Sequence, residues 1–343
     1  MKTLAAILVE QRKPLVIDEV ELPSLGFGQV LVEVKATRIC GSQLGEIDGV
    51  KGPDRHLPHL LGHEAGGIVR EIGPEVTQVK PGDRVVLHWR PGKGIQARPA
   101  AYRWHGETVN AGSITTFQNL TVVSENRLTV ISSDISFEMA ALLADTLTTG
   151  FGTVGRDARL RAGESVLVVG AGGLGLGAIF GASLSGAYPV VAVDIHDNKL
   201  EMSRRFGATH TINSRQSPSF INEIKSICPA FDLSIDTTGS PKVIDDAWTL
   251  TSAKGRMHLI GVMKHSDALS LNTLALHYGK SLTGSEGGSS LPHEDIPRLA
   301  RLFQGRGLKP EAMITDRCSL HEINGAIERM RSGAAIHTVI QFS

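Results

Sequence analysis

The 343-residue chain is predicted to be an α/β protein of two domains. A β-rich unit takes roughly the first 150 residues. A doubly wound parallel sheet follows. Three observations carry this. The length suits two domains of ordinary size. Up to about residue 150, short apolar alternations are separated by Gly/Pro turns. Beyond it, apolar runs of strand length alternate with helical patterns, as in βαβ units.

The elements follow in order. Residues 1–10 read as a first strand and lack the long apolar core and cleavage site of a secretion signal. Residues 29–35 alternate at strand period, with Val30, Val32 and Val34 against Leu31, Glu33 and Lys35. Residues 65–72 and 84–87 are similar. Lys80-Pro81-Gly82-Asp83 between them is a turn, because Pro pre-sets φ and Gly accepts a positive one. Together these predict a partly open barrel. After Ser165, residues 166–169 are wholly apolar, as a central parallel strand should be. A glycine-rich turn and a helix follow, then a strand over 189–193 and a helix over 198–206, stopped by Gly207. Residues 233–236, 257–260 and 281–283 continue the strand series. A helix over 323–331 and a strand over 335–342 close the chain. No repeat and no low-complexity tract interrupts it.

Composition narrows the function. Lys plus Arg (35) balance Asp plus Glu (35), so no net field favours nucleic acid or an anionic membrane. Aromatic residues are 5%, too few for base-stacking platforms. No apolar run is long enough to span a bilayer. Three scattered cysteines (Cys40, Cys228, Cys318) make no disulfide framework and point to a reduced, cytoplasmic setting.

Gly170-Ala171-Gly172-Gly173-Leu174-Gly175 fits G-x-G-x-x-G between a strand and a helix. Asp194 ends the next strand, nineteen residues past Gly175. The glycines allow the tight turn and close approach of backbone to a pyrophosphate at the helix N-terminus. Asp194 can accept from both ribose hydroxyls and would repel a 2′-phosphate, so NAD is expected over NADP. The competing readings are a structural glycine turn and a helix-capping carboxylate. Lys199 is equally a ribose contact or a solvated helix lysine.

Cys40, in Ile39-Cys40-Gly41-Ser42, and His63, in Gly62-His63-Glu64, carry a soft and a borderline donor, both suited to Zn²⁺. Alone they read equally as a buried thiol and an ordinary loop histidine. A catalytic zinc takes three protein ligands and keeps one position open. Asp145, in Asp145-Thr146-Leu147-Thr148-Thr149-Gly150, supplies a carboxylate near the domain junction.

With these motifs, Lys80-Pro81-Gly82-Asp83-Arg84-Val85 and the glycine loop in order, essentially the whole chain resembles the zinc-dependent medium-chain alcohol dehydrogenases. The resemblance implies a GroES-like catalytic domain over residues 1–148 and 289–343 and a Rossmann cofactor domain over 149–288. It implies Cys40, His63 and Asp145 as ligands of a catalytic zinc, in the manner of bacterial secondary-alcohol dehydrogenases. Glu64 would be a neighbouring or exchanging ligand; otherwise it is a buried carboxylate paired with an Arg. Ser42 would contact the alcohol and begin a proton relay. Thr149, Thr238, Gly239, Ile260, Gly261 and Val262 would line the cofactor groove. His337 stands where related enzymes carry an arginine toward the pyrophosphate. Pairing into a homodimer or homotetramer is also implied.

Three departures from the family pattern matter. Residues 87–116 lack the cysteines of a structural-zinc lobe, so one zinc per subunit is expected. Gln43 stands where the family commonly has Asp. Gly45 stands where a histidine often passes the proton outward, leaving Glu46, His56, His59 or water as substitutes. The segment from His88 to Gly106 is polar and basic, with two of the three tryptophans. It reads as a substrate wall or as a lobe at a subunit contact. The expected function is hydride transfer between NAD and a secondary alcohol or polyol-like substrate, with zinc as Lewis acid. The rivals are a zinc-free nucleotide-binding reductase and a non-catalytic member. The intact Cys and Gly-His-Glu motifs oppose both, and Asp194 opposes an NADPH reductase.

Overall fold

A computed structural model describes residues 1–343 and divides into two compact units, Met1–Asp145 with Leu291–Ser343, and Thr146–Ser290. The first unit opens with β1 (Lys2–Leu8), β2 (Val16–Glu21), β3 (Gln29–Ile39) and α1 (Gly41–Ile47). Then come β4 (His59–Leu60), β5 (Glu64–Ile72), β6 (Arg84–His88), β7 (Tyr102–Trp104) and β8 (Glu107–Val109). β9 (Leu120–Ser124), β10 (Leu128–Val130) and α2 (Phe137–Ala144) complete this stretch. The second unit holds α3 (Thr146–Gly152), β11 (Val166–Val169), α4 (Gly173–Leu184), β12 (Val190–Asp194) and α5 (Asp197–Arg205). It continues with β13 (His210–Asn213), α6 (Phe220–Ile227), β14 (Phe231–Asp236), α7 (Pro241–Leu250), β15 (Thr251–Leu259), α8 (Leu274–His277) and β16 (Ser281–Gly284). The chain then returns to the first unit with α9 (Pro292–Gly305), β17 (Asp316–Cys318), α10 (Ile323–Arg331) and β18 (Thr338–Gln341).

In the first unit, one sheet runs β4-β1-β2-β7-β8. The other runs β10-β6-β5-β3-β18-β17, with β9 also on β3. β3 is longer than its alternation predicts because both of its edges are paired. Its two faces also serve different cores. Val30, Val32 and Val34 pack with Val69 and Val85, whereas Leu31 packs with Ile7 and Tyr102. An apparently imperfect alternation is therefore a strand buried on both sides. β18 pairs antiparallel with β3, Thr338 opposite Ile39, which returns the C-terminal stretch to this unit. That last strand is shorter than the 335–342 read from sequence.

The reading of the first 150 residues as strands alone needs correction, since α1, α2 and the start of α3 lie there. α2 is buried from Met139 to Ala144 and presents no polar face, so it shows no helical period. Its N-terminal signal is Ser136, whose Oγ accepts from Met139 N at 3.0 Å.

The second unit is a six-stranded parallel sheet in the order β13-β12-β11-β14-β15-β16. That is the Rossmann order, with the reversal between β11 and β14. The apolar run of β11 follows from pairing on both edges and cover on both faces. The α/β fold class expected from sequence is the one observed.

Candidate metal centre and cofactor loop

Three chain segments of the first unit converge at one point. β3 ends at Ile39, so Cys40 falls at the N-cap of α1. His63 immediately precedes β5, whose first residue is Glu64. Asp145 follows the last residue of α2. Gly62 sets the approach to His63: its φ is +93°, and a Cβ there would lie 2.4 Å from Thr116 Oγ1 and 2.8 Å from Phe117 N.

Candidate ligand atoms of Cys40, His63, Glu64 and Asp145 all lie within 4.8 Å of one another. Cys40 Sγ is 3.9 Å from Asp145 Oδ2. His63 Nε2 is 3.6 Å from the same oxygen and 3.7 Å from Glu64 Oε1. Burial alone would raise the Asp145 pKa. The close approach of His63, its charge and the bond from Trp89 outweigh it and hold this carboxyl below the usual range. Burial opposes a charge on His63, yet Asp145, Cys40 and Glu64 raise its pKa well above the ordinary value. Glu64 is raised, chiefly by burial. A buried anionic set of this kind favours a cation at its centre.

The residues present fit a zinc ion. His63 Nε2 and both Glu64 oxygens are buried without a hydrogen-bond partner. A thiol, an imidazole and a carboxylate form a zinc donor set. Ser42 Oγ is likewise buried and unpartnered.

The neighbours of this cluster are specific. Arg38 is 2% exposed and its Nη2 lies 2.7 Å from Glu64 Oε1. The paired-carboxylate alternative for Glu64 is thus present in the structure. Arg38 Nη1 lies 3.1 Å from His337 Nδ1. His337 is fully buried in the first unit, and burial followed by the Arg38 charge depresses its pKa far below the ordinary value. Trp89 Nε1 donates to Asp145 Oδ1 at 2.8 Å. This contact escapes sequence reading, because the partners are 56 residues apart; only the presence of tryptophan in the polar segment hints at it.

A cavity of about 750 Å³ in the first unit is lined by Gln43, Gly45, Glu46, His56, His59 and His63, among others. The three substitutes for the missing relay histidine therefore share one cavity with His63. His59 Nε2 is 2.7 Å from Asp54 Oδ2, and its Nδ1 is 2.9 Å from Leu60 O. The segment after β6 divides its roles. Residues 99–101 and 110–112 line the cavity, while β7 and β8 extend a sheet.

In the second unit, Gly170 leaves β11 with φ +87° and Gly172 caps α4. Gly175 is forced by contact, since a Cβ there would lie 1.9 Å from Gly170 O. Gly172 has no such reason: its Cβ would meet nothing within 4 Å, so the space there is open for a ligand. Gly173 and Leu174 form the first turn of α4. Asp194 ends β12; its Oδ2 accepts from Ala171 N at 2.7 Å and its Oδ1 from Ile195 N and His196 N. One carboxylate thus ties the glycine loop to the strand expected to hold ribose. Lys199 is half-buried on α5. Thr238 is exposed after β14 and donates to Asp236 Oδ1 at 2.6 Å. Gly261 and Val262 follow β15, with Val262 64% exposed. Thr149 lies buried in α3.

Comparison with known proteins agrees with both halves. Residues 26–133 match the alcohol dehydrogenase GroES-like domain, and residues 173–305 match the zinc-binding dehydrogenase family. The chain belongs to the zinc-dependent medium-chain alcohol dehydrogenase family. More particularly, it is 30% identical to an S-(hydroxymethyl)glutathione dehydrogenase of Paracoccus denitrificans, with all of both chains covered. It is also 30% identical to an NDMA-dependent alcohol dehydrogenase of Amycolatopsis methanolica, again over both whole chains. Among solved structures, benzyl alcohol dehydrogenase from Acinetobacter calcoaceticus superposes with a TM-score of 0.89 at 26% identity, covering all of both chains. An alcohol dehydrogenase zinc-binding domain protein from Burkholderia ambifaria gives 0.91 at 25% identity, covering 100% of this chain and 99% of that one.

Proposed function

We propose that this zinc-dependent, NAD-linked alcohol oxidoreductase holds its ion with Cys40, His63 and Asp145 and acts on polar secondary alcohols or polyols. The single observation behind the ligand set is the buried cluster itself, with His63 Nε2 left without a partner. When bound, zinc supplies a Lewis acid that polarises the alcohol oxygen, and NAD takes up the hydride.

The chain's own residues do the rest. Ser42 Oγ, buried and unpartnered, receives the hydroxyl proton. It passes its own proton on in turn, and with glycine at 45 the outer acceptor is Glu46, His56, His59 or water in the neighbouring cavity. Trp89 orients Asp145, and Arg38 holds Glu64 as a neighbouring carboxylate able to exchange onto the ion. The glycine loop, Asp194, Lys199, Thr149, Thr238, Gly261 and Val262 form the cofactor set, and Asp194 favours NAD over NADP. His337 is the further contact the family likeness assigns to the cofactor. The 149–288 stretch serves the cofactor and the remainder serves catalysis.

The cavity supports a polar substrate. Lys51, Arg55, Asn110 and the Asp54–His59 pair place polar groups for substrate hydroxyls in a wall that is otherwise largely apolar, with Leu60, Leu61, Pro99 and Ile114. Assembly into a homodimer or homotetramer is supported by Leu274 and Tyr278, exposed 59% and 69% just before the sheet-edge strand β16. Three free cysteines support a cytoplasmic setting. No helix is long and apolar enough to cross a membrane.

Zinc quantification beside an NAD⁺-coupled screen of secondary alcohols and polyols tests the reading. One zinc per chain is expected, with Cys40→Ala losing both metal and turnover. Full activity in that variant overturns the ligand set. A clear preference for short unsubstituted alcohols overturns the polar substrate.

A further inference from the structure

Gln43 touches two of the proposed ligand residues at once. It is 1% exposed; its Oε1 accepts from the Cys40 backbone N–H at 2.8 Å, and its Nε2 lies 2.5 Å from His63 Nδ1. The first contact decides the second. A backbone N–H only donates, so the amide atom facing it is the oxygen. The other amide atom is then the NH2 group, which also only donates. His63 Nδ1 must accept, and a neutral ring carries its hydrogen on Nε2.

Nε2 is the nitrogen that faces Asp145 Oδ2 and Glu64 Oε1, inward to the cluster. A ligating imidazole needs the opposite arrangement. Its inner nitrogen presents a lone pair, and its outer N–H donates to a carboxylate, carbonyl or water. Turning the Gln43 amide would satisfy His63 but set an NH2 group against the Cys40 N–H and strand a buried donor. Each orientation therefore forfeits one hydrogen bond.

We propose that Gln43 holds His63 in the tautomer opposed to ligation, so that this centre binds its ion more loosely than the same centre with an acceptor at position 43. The consequence for the ion rests on the ligand set proposed above. The tautomer itself rests only on the two Gln43 contacts.

The local fold points to the decisive variant. Gln43 is the third residue of α1 and reaches back to its N-cap, a place that Gln and Glu fill alike. Gln43→Glu keeps that bond and offers a second oxygen to His63 Nδ1–H. Chelator competition on the full chain should show zinc held about 10–100-fold more tightly in Gln43→Glu than in the native chain, the range over which such outer partners act. Long-range ¹H–¹⁵N spectra of the metal-free native chain, recorded at a pH high enough for the His63 ring to be neutral and with His63 assigned by its loss in His63→Gln, should show the hydrogen on Nε2. Equal or weaker zinc binding by a folded Gln43→Glu overturns the proposal, as does a hydrogen on Nδ1 of the neutral native ring. The spectra need no variant fold beyond the one used for assignment. If Cys40→Ala holds zinc as well as the native chain, the ligand set fails and the loose-ion consequence fails with it. If Cys40→Ala loses zinc and Gln43→Glu gains nothing, the Gln43 inference fails alone.

Discussion

Arg38 brings a full positive charge into the interior beside Cys40, and Glu64 is what makes that tolerable. Their approach of 2.7 Å is off the line of a hydrogen bond, so charge rather than alignment holds the pair. Taking either partner away leaves an uncompensated buried charge, which costs about 3–5 kcal/mol. Arg38→Met should lose that much in urea denaturation of the metal-free chain, and adding Glu64→Gln should recover most of it. A loss below about 1 kcal/mol for Arg38→Met would mean that the pair supports nothing. At this scale the legible residues were those with rare chemistry in short motifs, Cys40, His63 and Asp145. Gln43 was legible only as a departure from pattern. Its partner His63 is twenty residues away, and a glutamine carries no signal of which amide end it will use.

The stretch from β11 through α4 to β12 behaves as one element. Asp194 closes it by accepting from the loop N–H of Ala171 and from Ile195 and His196. Asp194→Asn keeps an acceptor but drops the charge that bars a 2′-phosphate. The ratio of kcat/KM with NAD to that with NADP should fall about tenfold or more, the scale of one charged hydrogen bond. An unchanged ratio would falsify the assigned discrimination. This element was readable because its strand, glycine spacing and terminal acid lie within one short stretch. The hairpin of β7 and β8 was not. Three-residue strands have no measurable period, and their place beside β2 rests on one register pair, Glu21 with Arg103. α2 was hidden for the converse reason, being apolar on every side.

The whole chain carries no net charge at neutral pH and gains positive charge as its 13 histidines protonate on acidification, so an individual titration is read against a variant lacking that one group. His88 gives one such titration. It is fully buried, with Nδ1 2.8 Å from Arg90 O and Nε2 2.9 Å from Thr129 Oγ1, and burial lowers its pKa to about 4. The unfolded chain takes the same proton near pH 6.5. The neutral ring's contribution is therefore complete above pH 6.5, declines as pH falls toward 4, and levels off below. The total is about 3 kcal/mol. Denaturation at pH 7.5 and 4.5 should show the native chain losing about 2 kcal/mol more on acidification than His88→Gln. Equal losses would remove His88 from the account. At this largest scale the two-part organisation was visible in the change of sequence character near residue 150. The C-terminal stretch was placed with the first part by family resemblance, but its pairing with β3 was not read, because strand pairing across nearly the whole chain leaves no local trace.

That pairing has a consequence for synthesis. β3 emerges early, yet its partner β18 is made about 300 residues later. At about 5–20 residues per second, one edge of β3 waits roughly 15–60 s on the ribosome for its partner. During that interval the contiguous second unit can close, while residues 36–39, the end of β3 leading into Cys40, still lack β18 on one edge. Even this short open edge leaves backbone groups free for wrong pairing with other nascent chains. The yield of active protein should therefore depend on translation speed and on chaperones that shield β-strand edges, more than on the stability of the finished fold.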